Sequence, residues 1–258
     1  MWDEWDEWGT GGKGGKAAAK GEKGKGKGKG KGKDGGSKGK GKGKGGKSKG
    51  PASPEAKYKL FSTCSYFSKF CLEPHLSSLL IGQKGATMKK IQTDSNAVLK
   101  VSDRTELFPG TAWQIVMLGG NTEDELGAAI KAVYAQIKAG SEEPAHEIGI
   151  CVPQEVAGRV IGKGGANAKE LRQLGATQVS LAPEVVAYND DGNGEQIVKL
   201  AGSVAALERV TIKLAEWVNE RREDEWFNMW GSRCAGDYAN RANAEWADPM
   251  AGSKGAGG

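Results

Sequence analysis

Two tetrapeptides of one kind, Gly82-Gln83-Lys84-Gly85 and Gly162-Lys163-Gly164-Gly165, stand eighty residues apart, preceded by the apolar pairs Leu80-Ile81 and Val160-Ile161. Glycine at both ends of such a turn leaves the backbone bare, so an anion can approach the amides that open a following helix. Lys84 and Lys163 add a positive charge beside that approach. The chemistry this suits is recognition of a phosphodiester, with no bond made or broken. A nucleoside-triphosphate loop fails on spacing, because Ala157 stands where the first glycine of G-x-x-x-x-G-K-[ST] belongs and Gly164 where Ser or Thr is needed. His75 and His146 are the only histidines, and Cys64, Cys71, Cys151 and Cys234 form no C-x-x-C. With no nucleophile–base pair, carboxylate dyad or metal-ligand spacing, the expectation is a non-enzymatic chain without cofactor or metal.

The elements that must position these loops come in two copies. At an offset of 80, Phe70-Cys71-Leu72 lies over Ile150-Cys151-Val152, Ile91 over Leu171, Leu99 over Val179 and Val101 over Leu181. Gln114 to Leu118 matches Gln196 to Leu200 at an offset of 82, so one loop differs by two residues. Each copy predicts a strand (Ser65 to Leu72; Glu147 to Val152), a short helix (about Pro74 to Leu80; Gln154 to Val160) stopped by the first loop glycine, and a second helix after the loop. A strand with alternating apolar positions follows (Ala97 to Val101; Gln178 to Leu181), then a polar loop and a third strand (Ala112 to Leu118; Glu195 to Ala201). Last comes an amphipathic helix. Asn121 or Thr122 caps the first of these, ahead of Leu126, Ile130, Val133 and Ile137; Ser203 caps the second. Cys71 and Cys151 take equivalent strand positions and read as small buried apolar side chains.

Residues 65–139 and 146–221 each resemble a KH domain of the eukaryotic, type I arrangement. The family motif is an apolar pair, G-x-x-G, then apolar residues three and six positions beyond. Val156-Ala157-Gly158-Arg159-Val160-Ile161-Gly162-Lys163-Gly164-Gly165 is nearly its consensus, whereas the first copy has Ser78 in place of the small-helix glycine and Gln83-Lys84 within its turn. The resemblance implies an α+β chain of two tandem KH type I domains (β-α-α-β-β-α), each a three-stranded antiparallel sheet packed by three helices, flanked by disordered tails. It implies a groove that clamps about four nucleotides of single-stranded RNA. The candidate RNA-binding residues are Ser78, Ile81, Gly82, Gln83, Lys84, Gly85, Lys89, Leu99, Lys100 and Arg104 in the first copy, and Gly158, Ile161, Gly162, Lys163, Gly164, Gly165, Lys169, Arg172 and Val179 in the second. Ile81 with Leu99, and Ile161 with Val179, would form the apolar wall on which bases lie. In module type the chain is similar to the poly(C)-binding class of multi-KH regulators, which implies work in RNA processing, stability, transport or translation. Single-stranded DNA remains an alternative ligand, and so does a scaffold role in which the first module binds protein or dimerises.

The formal net charge of +5 hides an uneven distribution. Residues 1–50 hold 15 of the 37 Lys+Arg, 6 of the 32 Asp+Glu and 19 of the 41 glycines, a local charge of +9 against −4 for the rest. Such a Gly-Lys segment buries too little apolar surface to offset its ordering entropy, so residues 1–59 are expected to be disordered. Residues 222–258 are expected to be mostly disordered as well, although Trp226 to Trp230 could extend a preceding helix. The linker 140–145 spans at most about 20 Å, short enough for two weak sites to act together on one strand. Trp2, Trp5 and Trp8, spaced by acids, could serve a partner or fold back on the lysines. Protein partners or self-association through the tails remain open. No run of about 18 apolar residues suggests a membrane span, and Met1 to Trp8 lacks the pattern of a secretory signal. The expected setting is intracellular, in nucleus and/or cytoplasm, with reduced thiols.

The arm should act through counterion release. A salt titration of nucleic-acid affinity is expected to give a steeper slope of log affinity against log salt for the full chain than for a chain truncated before Pro51. Equal slopes would remove the arm from phosphate contact.

Overall fold

The computed structural model describes residues 59–236 together with 238 and 239. The expectations for the Gly-Lys arm, for Trp2, Trp5 and Trp8, and for residues 240–258 lie outside the described residues. In the first copy, β1 (Tyr66–Leu72) is followed by α1 (Pro74–Ile81), which starts on the proline that suits a first helical turn and stops at Gly82. Next come α2 (Ala86–Ser95), β2 (Val98–Val101), β3 (Gln114–Gly120) and α3 (Glu123–Gly140). Thr122 caps α3, its hydroxyl accepting from the Glu125 amide at 3.2 Å, and the Glu125 carboxylate accepts in return from the Asn121 amide at 2.7 Å. That bond, with a second from Asn96, holds the Glu125 carboxyl below its ordinary range. The second copy repeats the order with β4 (His146–Pro153), α4 (Gln154–Ile161), α5 (Ala166–Gln173), β5 (Gln178–Leu181), a short β6 (Val186–Ala187), β7 (Gly194–Gly202) and α6 (Val204–Asn219). Ser203 caps α6 through the Ala206 amide at 3.3 Å.

The two expected three-stranded sheets are one sheet. β1 and β4 pair antiparallel, with Lys69 opposite Cys151, Phe70 opposite Ile150 and Cys71 opposite Gly149, so the order is β2-β3-β1-β4-β7-β5, with β6 on β7. Alternation along β1 then assigns its two faces. Phe70 points to the helices, its ring 6.2 Å from that of Tyr134 on α3. Tyr134 in turn shares a 2.6 Å hydrogen bond with Thr211 of α6, which joins the last helices of the two copies. Burial raises the Tyr134 phenol well above its ordinary pKa.

Phe67, Lys69 and Cys71 point the other way, onto a face covered by residues 59–63 and by α7 (Glu225–Ser232). The helix considered for Trp226 to Trp230 is therefore present, as a separate element after α6, while the expectation for the rest of the tail falls largely outside the described residues. Phe227 and Trp230 are 0% and 1% exposed, and the Phe227 ring lies 5.3 Å from that of Phe67. Eight residues cannot hold a helix in water by propensity; α7 exists because the sheet receives its aromatic face. Cys71 and Cys151 also meet here, with Sγ atoms 3.4 Å apart, both free thiols and both buried. The expectation of small buried side chains matches that burial.

Phe67 faces β4 but lies beyond the three residues that pair with it. Asn219, at the end of α6, supplies the missing partner: its Oδ1 accepts from the Phe67 amide at 2.8 Å and its Nδ2 donates to the Phe67 carbonyl at 2.9 Å. Replacing Asn219 with leucine keeps the bulk and strands both backbone groups. The unfolding free energy should fall by about 2 kcal/mol or more. In urea this reads as a lower midpoint with an unchanged slope; an unchanged midpoint would refute the pairing.

Candidate nucleic-acid interface

The two loops share one backbone shape. Gly82 lies at φ 66°, ψ −174° and Gly162 at φ 70°, ψ 173°. The third position is left-handed in both, Lys84 at φ 49°, ψ 31° and Gly164 at φ 62°, ψ 21°, and so is the fourth, Gly85 at φ 77° and Gly165 at φ 79°. Different constraints act at the two ends. A Cβ on Gly82 would collide with the Thr87 side chain, and one on Gly162 would come within 2.7 Å of Asn167. At Gly85, Gly164 and Gly165 a Cβ would meet nothing within 4 Å, so only backbone conformation and open approach from solvent favour glycine there.

Around each loop the structure collects most of the residues chosen from sequence. Gln83, Lys84 and Lys89 are exposed on the first loop and on α2, and Lys163, Gly164 and Lys169 on the second loop and on α5. Ile161 is 38% exposed beside its loop, and Ile81 is half-buried at the equivalent place. Leu99 and Val179, at 1% and 4% exposure, are core residues, so they support the proposed wall from beneath more than they line it. Ser78 is exposed on α1 and its hydroxyl donates to the Pro74 carbonyl at 2.7 Å. At its counterpart Gly158 a Cβ would meet open space, so glycine is not a packing requirement. Lys100 is half-buried on β2, and Arg104 is exposed in the loop beyond that strand, away from the glycine turn in sequence.

Arg172 has a structural bond that the sequence did not reveal. Its Nη2 donates to the Val179 carbonyl at 3.1 Å, and Gln92 of the first copy donates Nε2 to the Leu99 carbonyl at 2.8 Å. Both bonds tie the helix after the loop to the strand below it. The offset of 80 pairs Gln92 with Arg172, the one signal that could have found them. Asn167 is a second omission: its Nδ2 donates to the Arg159 carbonyl at 2.6 Å and bridges the loop that Gly162 opens. Among the described residues no group of His, Cys, Asp and Glu is placed to hold a metal.

The KH domain family model matches residues 69–135 and 147–216, more than half of the chain. The chain belongs to the KH domain family. Human RNA-binding protein Nova-2 is 25% identical over 201 residues, 68% of this chain and 39% of that protein. RNA-binding protein Pasilla of Drosophila melanogaster is 26% identical over 132 residues, 46% of this chain and 17% of that protein. PAB1-binding protein 2 of Saccharomyces cerevisiae is 26% identical over 151 residues, covering 57% and 35%. The chain thus spans well under half the length of these relatives. Both family matches end before α7, so the helix on the reverse face of the sheet lies outside the KH modules proper.

Within the first KH module, Lys84 carries a left-handed strain of about 1–2 kcal/mol. A glycine there would remove it at a cost of about 0.5–1 kcal/mol in chain entropy. Lys84→Gly is therefore expected to raise the unfolding free energy by about 0.5–1 kcal/mol, and Gly164→Lys to lower it by a similar amount. Urea midpoints of the two variants moving in the same direction would contradict the loop geometry.

Proposed function

We propose that the chain binds single-stranded RNA, each G-x-x-G loop holding the sugar-phosphate backbone while bases lie against the apolar surface between the two short helices and β2 or β5. The observation that carries this is the identical loop shape in both copies, with lysine kept at a strained position of the first loop where glycine would serve the fold better. A cation held there against its conformational preference has a use in meeting an anion. Gln83, Lys84 and Gly85 in one loop, and Lys163, Gly164 and Gly165 in the other, are the proposed phosphate clamps. Lys89, Lys100 and Arg104, with Lys169 and Arg172, are flanking contacts, and Ile81 and Ile161 are the base platforms. Two of the relatives are named RNA-binding proteins, which supports RNA as the ligand. Post-transcriptional regulation is the process such a binder would serve, in nucleus or cytoplasm.

Lys163→Asp combined with Gly164→Asp reverses the charge at the second loop, and aspartate tolerates a left-handed backbone better than most residues. Affinity for RNA oligonucleotides should fall at least about tenfold, a loss of 1.4 kcal/mol, with a thermal midpoint near that of the parent. The same bases in deoxyribose oligonucleotides should bind more weakly. Unchanged RNA affinity in the loop variant would overturn the proposal, and equal affinity for DNA would replace RNA with single-stranded nucleic acid in general.

A further inference from the structure

The junction between the two modules joins like to like. β1 and β4 are the corresponding first strands, and they pair antiparallel at the centre of the sheet. Two copies of one fold joined in this way are related by an approximate two-fold axis perpendicular to the sheet, since α3 and α6 pack together on a single face. Whatever direction a bound strand takes through the first groove, it takes the opposite direction through the second. The grooves also lie far apart. α2 is tied to β2 and α5 to β5, and β2 and β5 are the two ends of the strand order. Five interstrand steps of about 4.8 Å separate those ends by roughly 24 Å.

This arrangement is braced from both faces. On the helical face Tyr134 bonds to Thr211, and at the junction Asn219 bonds to Phe67. On the reverse face Lys69 of β1 and Glu195 of β7 form a fully buried ion pair, Nζ to Oε2 at 2.5 Å, across the module boundary. α7 closes it: the Trp230 indole N–H donates to Glu195 Oε2 at 2.8 Å, the Trp230 ring lies 4.5 Å from Lys69 Nζ, and the carbonyl of Arg233 accepts from that ammonium at 3.2 Å. The chain then returns to the first module, where Gly236 abuts the carbonyls of Glu106 and Leu107. A tether of residues 140–145 alone would let the modules turn to follow an extended strand. Three separate braces, one of them a buried charge pair, hold them in opposition.

We propose that the RNA this chain recognises is a single strand that doubles back, its two short recognised segments separated by a looped spacer and running in opposite directions. The proposal rests on the RNA-binding reading of the two loops and adds the geometry of the ligand. A contiguous run of about eight nucleotides, two sites of about four, then fills only one groove at a time. Effective concentration rewards the second contact only when the spacer can span the sheet and reverse.

The test uses the full chain, at salt high enough to suppress contacts of the Gly-Lys arm. Homotetramers of A, C, G and U identify the best block. Two such blocks are then joined by abasic spacers from none up to about twenty residues, over which linked binding should rise and then slowly decline. A second series joins the blocks 3′ to 3′ or 5′ to 5′, which reverses the polarity of one of them. Affinity should stay at the single-block level for short natural linkages and rise at least about tenfold beyond a threshold spacer. One of the inverted linkages should reach that gain with a shorter spacer, and the Lys163→Asp, Gly164→Asp variant should abolish it. Equal gain from the contiguous octamer, or no benefit from inversion, would overturn the opposed grooves while leaving RNA binding intact. No gain at any spacer, with two RNA molecules bound per chain, would overturn the doubled-back strand in favour of two strands. Failure of every probe to bind would overturn the reading of the loops themselves.

Discussion

The antiparallel pairing of β1 with β4 is the constraint on which the rest of this structure depends. A three-stranded sheet with order β2-β3-β1 leaves β1 as an edge, a row of unpaired amides and carbonyls that invites pairing with any other edge. The chain satisfies that edge with its own second copy. Only Lys69, Phe70 and Cys71 take part, and the Asn219 amide extends the pairing to Phe67 by imitating a peptide group. The short pairing seals the edge strand of each module and makes one core of what would otherwise be two.

Burying Lys69 and Glu195 under that junction is costly in itself, because both charges leave water and their attraction repays desolvation only when the remaining polar atoms find partners. Here Trp230 donates to the same Oε2 that meets Lys69, the Arg233 carbonyl accepts from Lys69, and the rings of Trp230 and Tyr188 lie over its Nζ, while Glu195 Oε1 is left without a hydrogen-bond partner among the described residues. Truncating one member would leave the other charged and enclosed. That asymmetry explains how a segment as short as α7 can be held: its tryptophan completes a charge pair that joins both modules.

The proposed RNA interface lives under a different constraint, local to each copy. Gly82 and Gly162 are required by the atoms behind them, while Gly85, Gly164 and Gly165 face open space and are required by backbone conformation. In the proposed reading, affinity rests on exposed lysines and helix-end amides that the fold does not need for its own packing. Module geometry, by contrast, rests on buried groups outside the proposed interface. The two sets of residues do not overlap, which allows the loops to vary, as Gln83-Lys84 and Lys163-Gly164 do, without loosening the junction.

Periodicity and repetition were enough to establish from sequence the β-α-α-β-β-α order, both glycine turns, the Ser203 cap, the Asn121 or Thr122 alternative at the other cap, and the charged residues around each loop. These features are set by neighbours within a turn or two of chain, and an offset of 80 exposes them twice. Strand alternation marks Leu99 and Val179 as apolar positions, but how little of them reaches the surface depends on packing by other elements. The roles of Gln92, Asn219 and Arg172 in bonding to backbone carbonyls depend on atoms 7 to 152 residues away. The fusion of two sheets into one and the docking of residues 225–232 on the reverse face were invisible for the same reason. An edge strand carries no local signal of its partner, and a short aromatic segment becomes a helix only when a distant face receives it. Sequence determined what each module is, and tertiary pairing alone decided that the two face in opposite directions.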